Sequence, residues 1–349
     1  MGKILKDELK VYHDKNILIT GGASFIGSHL AELMLESGAN ITVIDDLSSG
    51  KEEHINDIKN NVNFIKGDVR NPDLLSTQMK NIEIVFNLAA MHGGRGYIET
   101  HPVECMNNML LDHIVFDTAV KHGVETIVHA SSACVYPTNL QDDEEDRYLL
   151  SEEDANFEEP GKAFSDGEYG WAKLMGELQL NAFHKQYGVN GAAARIFTAY
   201  GERENESHAA VALIAKALLK LDPYPIWGNG LQTRNFTYVA DTVMGLALAG
   251  TQTKGFETLN VGTSSHYTIM ELCEVVFDFY EWRPENFDFQ LDKPVGVKSR
   301  ASDNTKIQRL FNWEPTINLQ EGVVKTADWY RSNIKEDQLA DLEVKLMER

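Results

Sequence analysis

The sequence is poor in basic residues and contains no long apolar run. It has 32 Lys and Arg against 53 Asp and Glu, giving a formal charge of -21 over 349 residues. Nucleic acids and anionic membranes select basic surfaces, so we expect neither as a partner. No apolar stretch reaches the ~18 residues that a membrane span requires. Any phosphate ligand must therefore be held locally, by arginines, backbone amides and helix ends.

Cysteine is also scarce. Cys105, Cys134 and Cys273 are odd in number, far apart and without a Cys-x-x-Cys pair. This pattern fits a reducing compartment and argues against a structural metal site. Residues 1–15 are polar and charged, unlike a secretory signal. We therefore predict a cytoplasmic protein without a bound metal.

The first motif is a strand, a glycine-rich turn and a helix. The apolar run 16–20 is followed by the turn 21–27, a helical pattern over 28–37 and a second apolar strand that ends at Asp45. This order is typical of a dinucleotide-binding unit, where glycines let the backbone approach a pyrophosphate and the helix N-terminus stabilises its charge. An acid at the second strand end favours NAD over NADP. The alternative is a glycine-rich turn without a ligand, and Ser24 replaces the usual middle glycine.

Strands and helices continue to alternate along the chain. Apolar strands at 63–65, 82–86, 126–129 and 191–197 are separated by helical stretches, of which 103–122 is the longest in the first half. This alternation predicts an α/β protein with a doubly wound parallel sheet, a Rossmann fold. Ligands of such sheets bind at the carboxyl ends of the strands.

The pattern divides the chain into two lobes. We expect an NAD-binding Rossmann domain at 1–190, with a return segment at about 234–250, and a smaller, mixed C-terminal lobe at 191–349 that mainly binds substrate. The segment 138–166 lacks periodicity, and its acidic run 142–146 predicts a solvated loop. The last residues, from 335 onward, have the composition of a charged helix or tail.

Tyr169 and Lys173 stand four residues apart in a stretch that predicts a helix. Residues at this spacing share one helix face. A lysine cation beside a phenol favours the phenolate, so we expect the pKa of Tyr169 to be lowered. A tyrosine that ionises near neutral pH can act as a general base. The spacing alone also fits a solvated helix face, so its significance depends on the other motifs.

Three motifs together resemble the extended short-chain dehydrogenase/reductase family. They are the Gly21 turn, Ser132 after the fifth strand, and Tyr169-x-x-x-Lys173. The segment WGNGLQTR, ending at Arg234, resembles the one whose arginine holds a nucleotide-sugar diphosphate, and Arg300 falls in another segment of that family. The likeness extends from about residue 15 to 332. It implies a nucleotide-sugar epimerase or dehydratase with tightly held NAD.

The resemblance assigns roles to matching positions. It implies that Tyr169 takes the proton of the sugar O4 while hydride passes from C4 to NAD⁺, giving a 4-keto sugar. Lys173 would hold the nicotinamide ribose, and Ser132 would orient O4. Asp68 could meet the adenine amino group. The residues implied for cofactor binding are Gly21, Ser24, Phe25, Ile26, Gly27, Asp45, Asp68, Val69, Leu88, Ala89, Ala90, Tyr169 and Lys173.

Two stretches resemble the GDP-mannose 3,5-epimerases within this family. They are NLAAMHGGRGYI at 87–98 and SSACVYP at 131–137. The glycine pair Gly93 and Gly94 would let the sugar lie close to the backbone. Arg95 is a candidate to meet a substrate carboxylate or hydroxyl, whereas Arg234 and Arg300 would bind the diphosphate through their planar forks.

Other positions depart from that type. In an ungapped comparison His208 stands where its second acid/base, a lysine, is expected, and Thr198 replaces the asparagine before Tyr200, although it remains a candidate substrate contact. Cys134 stands where the family's dehydratases carry a glutamate, which argues against 4,6-dehydration.

A 4-ketone acidifies the hydrogens on C3 and C5. A thiolate of Cys134 could remove one of them, and His208 could return a proton from the opposite face. The alternatives are a thiol that only packs in the interior and a histidine on a surface helix.

We predict an NAD-dependent nucleotide-sugar epimerase of the 3,5 type. A nucleotide-sugar 4-epimerase, in which the keto sugar turns over and Cys134 and His208 are passive, is the second hypothesis, and a 4,6-dehydratase is the third. A non-catalytic NAD-sensing scaffold would be marked by loss of Tyr169 or Lys173, and both are present. The family resemblance also implies a homodimer through helices at about 103–122 and 168–187.

Overall fold

A computed structural model describes residues 8–143, 145, 147–206, 208–251, 254–334, 342 and 346. Over these residues a parallel sheet is built from β1 (Asn16–Thr20), β2 (Asn40–Asp45), β3 (Asn63–Lys66), β4 (Ile84–Asn87), β5 (Thr126–Ser132), β6 (Asn190–Ile196) and β7 (Phe256–Val261). The helices of the described residues are α1 (Phe25–Glu36), α2 (Pro72–Gln78), α3 (Arg95–Thr100), α4 (Pro102–Met106), α5 (Asn108–Lys121), α6 (Gly167–Tyr187), α7 (Ala209–Leu218), α8 (Val239–Gly250), α9 (Ile269–Tyr280), α10 (Thr305–Phe311) and α11 (Leu319–Asn333).

The strand order in the sheet is β7-β6-β5-β4-β1-β2-β3, and every pair is parallel. Helices cover both faces, and so the central strands read as apolar runs: Ile17, Leu18 and Ile19 of β1 are fully buried. The order reverses between β1 and β4, which opens a crevice at their carboxyl ends. The predicted doubly wound Rossmann fold is confirmed.

The smaller C-terminal part is mixed, as predicted. Short strand pairs occur here: Tyr224–Trp227 with Phe287–Gln290, Thr233–Arg234 with Tyr267–Thr268, and Ala199–Tyr200 with Thr237–Tyr238. A cluster of aromatic rings, including Tyr224, Phe277 and Phe287, packs around the first pair. The strands β6 and β7 complete the main sheet, so the chain returns to it after residue 190.

The stretch 103–122 is not one helix. α4 ends at Met106 and α5 starts at Asn108. The buried side chain of Asn108 accepts a hydrogen bond from the Met91 amide at 2.7 Å and donates one to the Met91 carbonyl at 2.9 Å. The break therefore lies where the helix fixes the loop after β4, which lines the crevice.

The segment 138–166 is only partly solvated. Asp142, Asp143 and Glu145 are exposed, in agreement with the predicted acidic loop. Glu152, Asp154 and Asp166 are buried. The buried guanidinium of Arg195 donates to the carbonyls of Glu152 at 2.9 Å and Ala155 at 2.7 Å, and so it draws this segment onto the sheet.

Two further points concern the chain as a whole. The predicted C-terminal helix or tail lies outside the described residues, apart from the buried Leu342 and Leu346. Among the residues that the structure describes, no helix is both long and apolar enough to cross a bilayer.

Candidate active site

The turn after β1 has the tight geometry that a pyrophosphate site needs. Gly21 has φ +69°, and a Cβ there would lie 3.0 Å from the Ala89 nitrogen. A Cβ on Gly27 would lie 2.1 Å from the Gly21 oxygen, so only glycine fits where α1 meets the turn. Ser24, at the position of the usual middle glycine, caps α1: its Oγ donates to the Gly21 carbonyl at 2.6 Å and accepts from the Gly27 amide at 3.4 Å. The serine therefore reinforces the turn and leaves the N-terminus of α1 directed at the crevice.

A small cavity continues from this turn along the ends of β2 and β3. The predicted cofactor residues that line it are Gly21, Ser24, Asp45, Asp68, Val69, Leu88, Ala89 and Ala90. The Asp45 carboxylate accepts the amides of Ala23 at 2.9 Å and Leu47 at 2.8 Å, while burial raises its pKa. Asp68 is paired with Arg70 at 2.6 Å. The glycine-rich turn, the N-terminus of α1 and the buried Asp45 together form a site that fits a dinucleotide.

A larger cavity of about 310 Å³ adjoins the first at the ends of β4, β5 and β6. All the predicted catalytic and substrate residues line it: Gly93, Gly94, Arg95, Ser132, Cys134, Tyr169, Lys173, Thr198, His208, Arg234 and Arg300. The predicted cofactor residues Ser24, Phe25, Ile26, Leu88 and Ala90 line it as well, and Ser24, Leu88 and Ala90 are shared with the small cavity. Gly27 lies behind the turn and lines neither cavity.

Tyr169 and Lys173 lie on the first turns of α6, which begins at Gly167. The Lys173 Nζ is 5.9 Å from the centre of the Tyr169 ring and donates to the Ala130 carbonyl at 2.9 Å. Burial raises the pKa of Tyr169, and the charges of Cys134 and Cys105 act in the same direction. The expectation of a lowered pKa for Tyr169 is therefore wrong for the protein alone, because desolvation disfavours the phenolate. Burial also lowers the pKa of Lys173 itself.

Ser132 is the last residue of β5, and Cys134 lies two residues beyond it in a short helix. The Cys134 amide donates to Ser132 Oγ at 3.1 Å, which fixes the side chain of Ser132 toward the short helix that follows. Arg300 reaches Cys134 from the C-terminal lobe, and its Nη1 donates to Sγ at 3.4 Å. The thiol therefore lies beside a cation within the cavity.

Three arginines meet at the wall formed by the C-terminal lobe. Arg300 donates to Gln141 at 2.6 Å and to Asp166 at 3.1 Å, and Arg95 donates to both oxygens of the same Asp166 at 2.9 and 3.0 Å. Burial and the two neighbouring guanidinium charges lower the pKa of Arg234 to about 9. Although burial opposes it, Arg300 and Arg95 hold the pKa of Asp166 below its usual range.

Arg95 and Gly93 line the cavity and also make contacts within the protein. The guanidinium of Arg95 is engaged by Asp166 and by Glu99, so it is a partner within the protein before any substrate enters. A Cβ on Gly93 would lie 2.6 Å from the Cβ of Tyr97. Glycine is therefore required at position 93 because Tyr97 of α3 packs directly against it.

His208 lines the cavity from the N-cap position of α7, where its side chain makes no capping hydrogen bond. Its Nδ1 is 3.4 Å from the carboxylate of Glu204, and its ring centre is 6.2 Å from that of His92. Burial, together with the Lys173 charge, lowers the pKa of His92 to about 4, so this ring is neutral at working pH.

Several residues of this site were missed from the sequence. Asp166 and Gln141 carry no local motif, because their arginine partners lie far along the chain. Glu204 lies only four residues before His208, but no motif marks that pair. His92 was part of the NLAAMHGG stretch, and an ionisable ring beside a glycine pair was the signal that could have identified it.

Comparison with known proteins agrees with this geometry. Residues 17–262 match the NAD dependent epimerase/dehydratase family. GDP-mannose 3,5-epimerase 1 of Oryza sativa subsp. indica is 32% identical over 333 residues, which cover 94% of this chain and 85% of the relative.

Solved structures of two other proteins are also similar. The UDP-glucose 4-epimerase of Thermotoga maritima, solved with UDP-glucose, is 26% identical with a TM-score of 0.79, over 92% of this chain and 100% of that one. MoeE5, in complex with UDP-glucuronic acid and NAD, is 29% identical with a TM-score of 0.78, over 91% of this chain and 100% of that one.

Proposed function

Because the chain belongs to the NAD dependent epimerase/dehydratase family, we propose that it is a nucleotide-sugar epimerase that works through a transient 4-keto sugar, with the chemistry of a 3,5-epimerase. One observation carries the proposal: Cys134 and His208 line the same cavity as Tyr169 and Lys173. Oxidation at C4 requires only the second pair. Proton transfer at carbon requires additional groups that can take and return a proton, and the first pair supplies them.

The cofactor is NAD, which the family's name and the MoeE5 complex both support. The Gly21 turn and the N-terminus of α1 would hold the pyrophosphate, Asp45 and Asp68 the adenosine, and Lys173 the nicotinamide ribose. When bound, NAD⁺ would supply the acceptor for the hydride of C4 and a positive charge that favours the phenolate of Tyr169, which the protein alone does not favour.

The first step is the removal of one proton and one hydride from the sugar. Tyr169 takes the proton of O4 as the hydride leaves C4, and the product is the 4-ketone. Ser132 Oγ already accepts the Cys134 amide, so its own O–H is directed to another acceptor and can donate to O4. The same groups run in reverse at the end, when the ketone regains hydride and proton.

The second step exchanges a proton at C3 or C5. The Cys134 thiolate removes the acidified hydrogen, and the hydrogen bond from Arg300 stabilises the sulfur anion. His208 supplies a proton from the other face, with Glu204 beside its Nδ1. The net result is inversion at carbon, with no net oxidation or reduction.

The cluster of arginines at the cavity wall supports a substrate that carries a nucleoside diphosphate. In a chain of net charge -21, Arg95, Arg234 and Arg300 gather at one cavity wall with Asp166. The pKa of the half-buried Arg234 is lowered by desolvation and then by the neighbouring Arg300 and Arg95 charges, so an entering diphosphate would relieve the repulsion between these cations.

The second candidate is a nucleotide-sugar 4-epimerase. The similarity to the Thermotoga maritima enzyme, which covers 92% of this chain, favours it. In that reaction the 4-keto sugar turns over and regains hydride on its other face. Cys134 and His208 would then only line the cavity.

The decisive experiment uses deuterium oxide. The protein is incubated with a panel of GDP-, UDP-, CDP- and dTDP-sugars in D₂O, and NMR locates any deuterium. A 3,5-type epimerase introduces deuterium at C3 or C5 of one substrate. Conversion at C4 without deuterium on carbon would instead establish the 4-epimerase. An absence of turnover with every sugar, despite NAD binding, would favour a non-catalytic role.

A homodimer and a two-lobe division complete the proposal. Helices α4, α5 and α6 expose apolar side chains: Val103, Met106, Leu110, Leu178 and Tyr187. A second copy of this chain would cover them, as the family resemblance implies. We also propose a cofactor domain at 1–190 with a return segment at about 234–250, and a lobe at 191–349 that mainly binds substrate. The presence of Arg234 and Arg300 on the wall of the large cavity supports the second part.

A further inference from the structure

A group of polar side chains lies buried behind Lys173, on the side away from the cavity. Asp112 of α5, His129 of β5 and Asn87 of β4 are each fully buried. The Asn87 Nδ2 donates to Asp112 Oδ1 at 2.7 Å, and the Thr20 Oγ1 donates to Asn87 Oδ1 at 2.8 Å. His129 Nδ1 lies 3.6 Å from Asp112 Oδ1. The reaction proposed above uses none of these side chains.

The packing of α6 leaves room for this group. Gly176 is one turn beyond Lys173, and a Cβ there would lie 2.7 Å from both Asp112 Oδ2 and His129 Nε2. Within the described residues, Asp112 Oδ2 and both ring nitrogens of His129 have no hydrogen-bond partner. A buried carboxylate that is only half satisfied is costly, and a purely structural role does not account for the cost.

The neighbouring Lys173 gives a reason for the buried negative charge of Asp112. Its ammonium is buried and donates to a neutral acceptor, the Ala130 carbonyl, at 2.9 Å. Burial lowers the pKa of Lys173, and Asp112 is the charge that raises it. Burial raises the pKa of Asp112 to about 6, and Lys173 opposes this shift. Burial keeps His129 neutral by lowering its pKa far below the usual range.

We propose that Asp112 is a positioning residue whose buried carboxylate keeps Lys173 protonated, and that Asn87, His129 and Gly176 hold it in place behind α6. The inference rests on the proposed role of Lys173, which must be a cation to stabilise a phenolate. The titratable groups that interact with Asp112 are Lys173 and Tyr169 of α6 and His129 of β5, and the Asp112 charge also raises the pKa of Tyr169. The strands β1 and β4 present only the uncharged Thr20 and Asn87.

The charge of Lys173 can be measured without any sugar. Competitive labelling with acetic anhydride modifies only the neutral amine, and mass spectrometry of the Lys173 peptide gives its labelling rate against pH. The full chain is used after removal of bound nucleotide. In Asp112→Asn, which keeps the shape and removes the charge, the Lys173 rate at pH 8 should rise at least about threefold. The midpoint of its titration should move to lower pH.

Two further variants separate charge from packing. His129→Gln changes the same group and keeps the carboxylate, so Lys173 should label as in the parent. Asp112→Ser removes the charge with a smaller side chain, and it replaces Asp112→Asn if that variant does not fold. Unchanged labelling of Lys173 in a folded Asp112 variant would overturn the proposal, as would an equal change in His129→Gln. Because this readout involves no sugar, it is independent of whether the proposed epimerase reaction is correct.

Discussion

Arg300 donates a hydrogen bond to the Sγ atom of Cys134 at 3.4 Å, across 166 residues of sequence. The same guanidinium donates to Asp166 and Gln141, so its position is set by the protein. The hydrogen bond therefore holds the sulfur at a fixed place on the cavity wall. One side chain thus links the wall proposed to bind phosphate to the group proposed to act on carbon.

The first prediction concerns Cys134. Cys134→Ser keeps nearly the same shape and replaces the thiol with a hydroxyl that ionises far less readily. In D₂O the variant should still oxidise C4 transiently, seen as NADH absorbance, but lose both deuterium incorporation and the 3- or 5-epimer. Cys105→Ser, a buried thiol outside the large cavity, is the control and should behave like the parent. Unchanged deuterium incorporation in Cys134→Ser would mean that the thiol only packs in the cavity wall, and it would favour the 4-epimerase.

The second prediction concerns Tyr169. Tyr169→Phe removes the ionisable hydroxyl and almost no volume. Turnover should fall by about 10² or more, the scale of a lost general base. NAD should still bind, because the ring and Lys173 remain, and calorimetry checks this. A folded variant with near-normal turnover would exclude Tyr169 as the base.

The third prediction concerns cofactor choice. The Asp45 carboxylate supports the turn by accepting two amides, so Asp45→Asn is a cleaner test than Asp45→Ala. Loss of the charge should weaken NAD binding about tenfold, the value of a charge-assisted hydrogen bond, and reduce discrimination against NADP. Titration calorimetry with both cofactors measures this. Tighter binding of NADP than NAD by the parent protein would contradict the assignment.

The fourth prediction concerns assembly. Leu110 of α5 is 56% exposed and lies in the apolar patch proposed to bind a second copy. Leu110→Glu would bury a charge in that interface and should shift the protein from dimer to monomer in light scattering. Leu231→Glu changes a leucine that is 51% exposed outside this patch and should leave the mass unchanged. A monomeric parent protein would rule out the dimer.

Much of the fold and site could be predicted from the sequence because the signals are local. Parallel strands buried on both faces read as apolar runs, and Ser132 and Cys134 directly follow one of them. Glycines that permit a close approach, such as Gly27, also stand in a short motif. These signals need no knowledge of distant contacts.

Long-range contacts could not be predicted in this way. Asp166 is buried because Arg300, 134 residues away, and Arg95, 71 residues away, surround it. Nothing near Asp166 in sequence distinguishes it from the exposed Asp143. The pKa of Tyr169 was predicted in the wrong direction for the same reason, since the depth of burial depends on the whole cavity.

The last prediction concerns stability in acid and involves His54. Its Nδ1 lies 3.0 Å from the Ala23 carbonyl in the cofactor turn, and burial lowers the pKa of His54 to about 4 from an ordinary value of 6.5. Between these values the unfolded chain binds a proton that the folded chain does not. The contribution of His54 to the free energy of unfolding is therefore fully present above pH 6.5, and it is lost as the pH falls toward 4.

The test is His54→Gln, which retains a donor for Ala23 and cannot titrate. Urea unfolding at pH 7, 6 and 5, with equal nucleotide content, should show a shallower loss of stability in the variant. The difference should reach about 1–2 kcal/mol, below the full shift because the ring is only partly shielded from water. His92 titrates alike in both proteins and cancels in this comparison. His29, whose pKa the His54 charge also lowers, changes in the same direction and adds to the difference. His13→Gln, at an exposed position, is the control and should follow the parent curve. If His54→Gln also runs parallel to the parent from pH 7 to 5, burial does not hold His54 neutral, and the cofactor turn is not the acid-sensitive part of the fold.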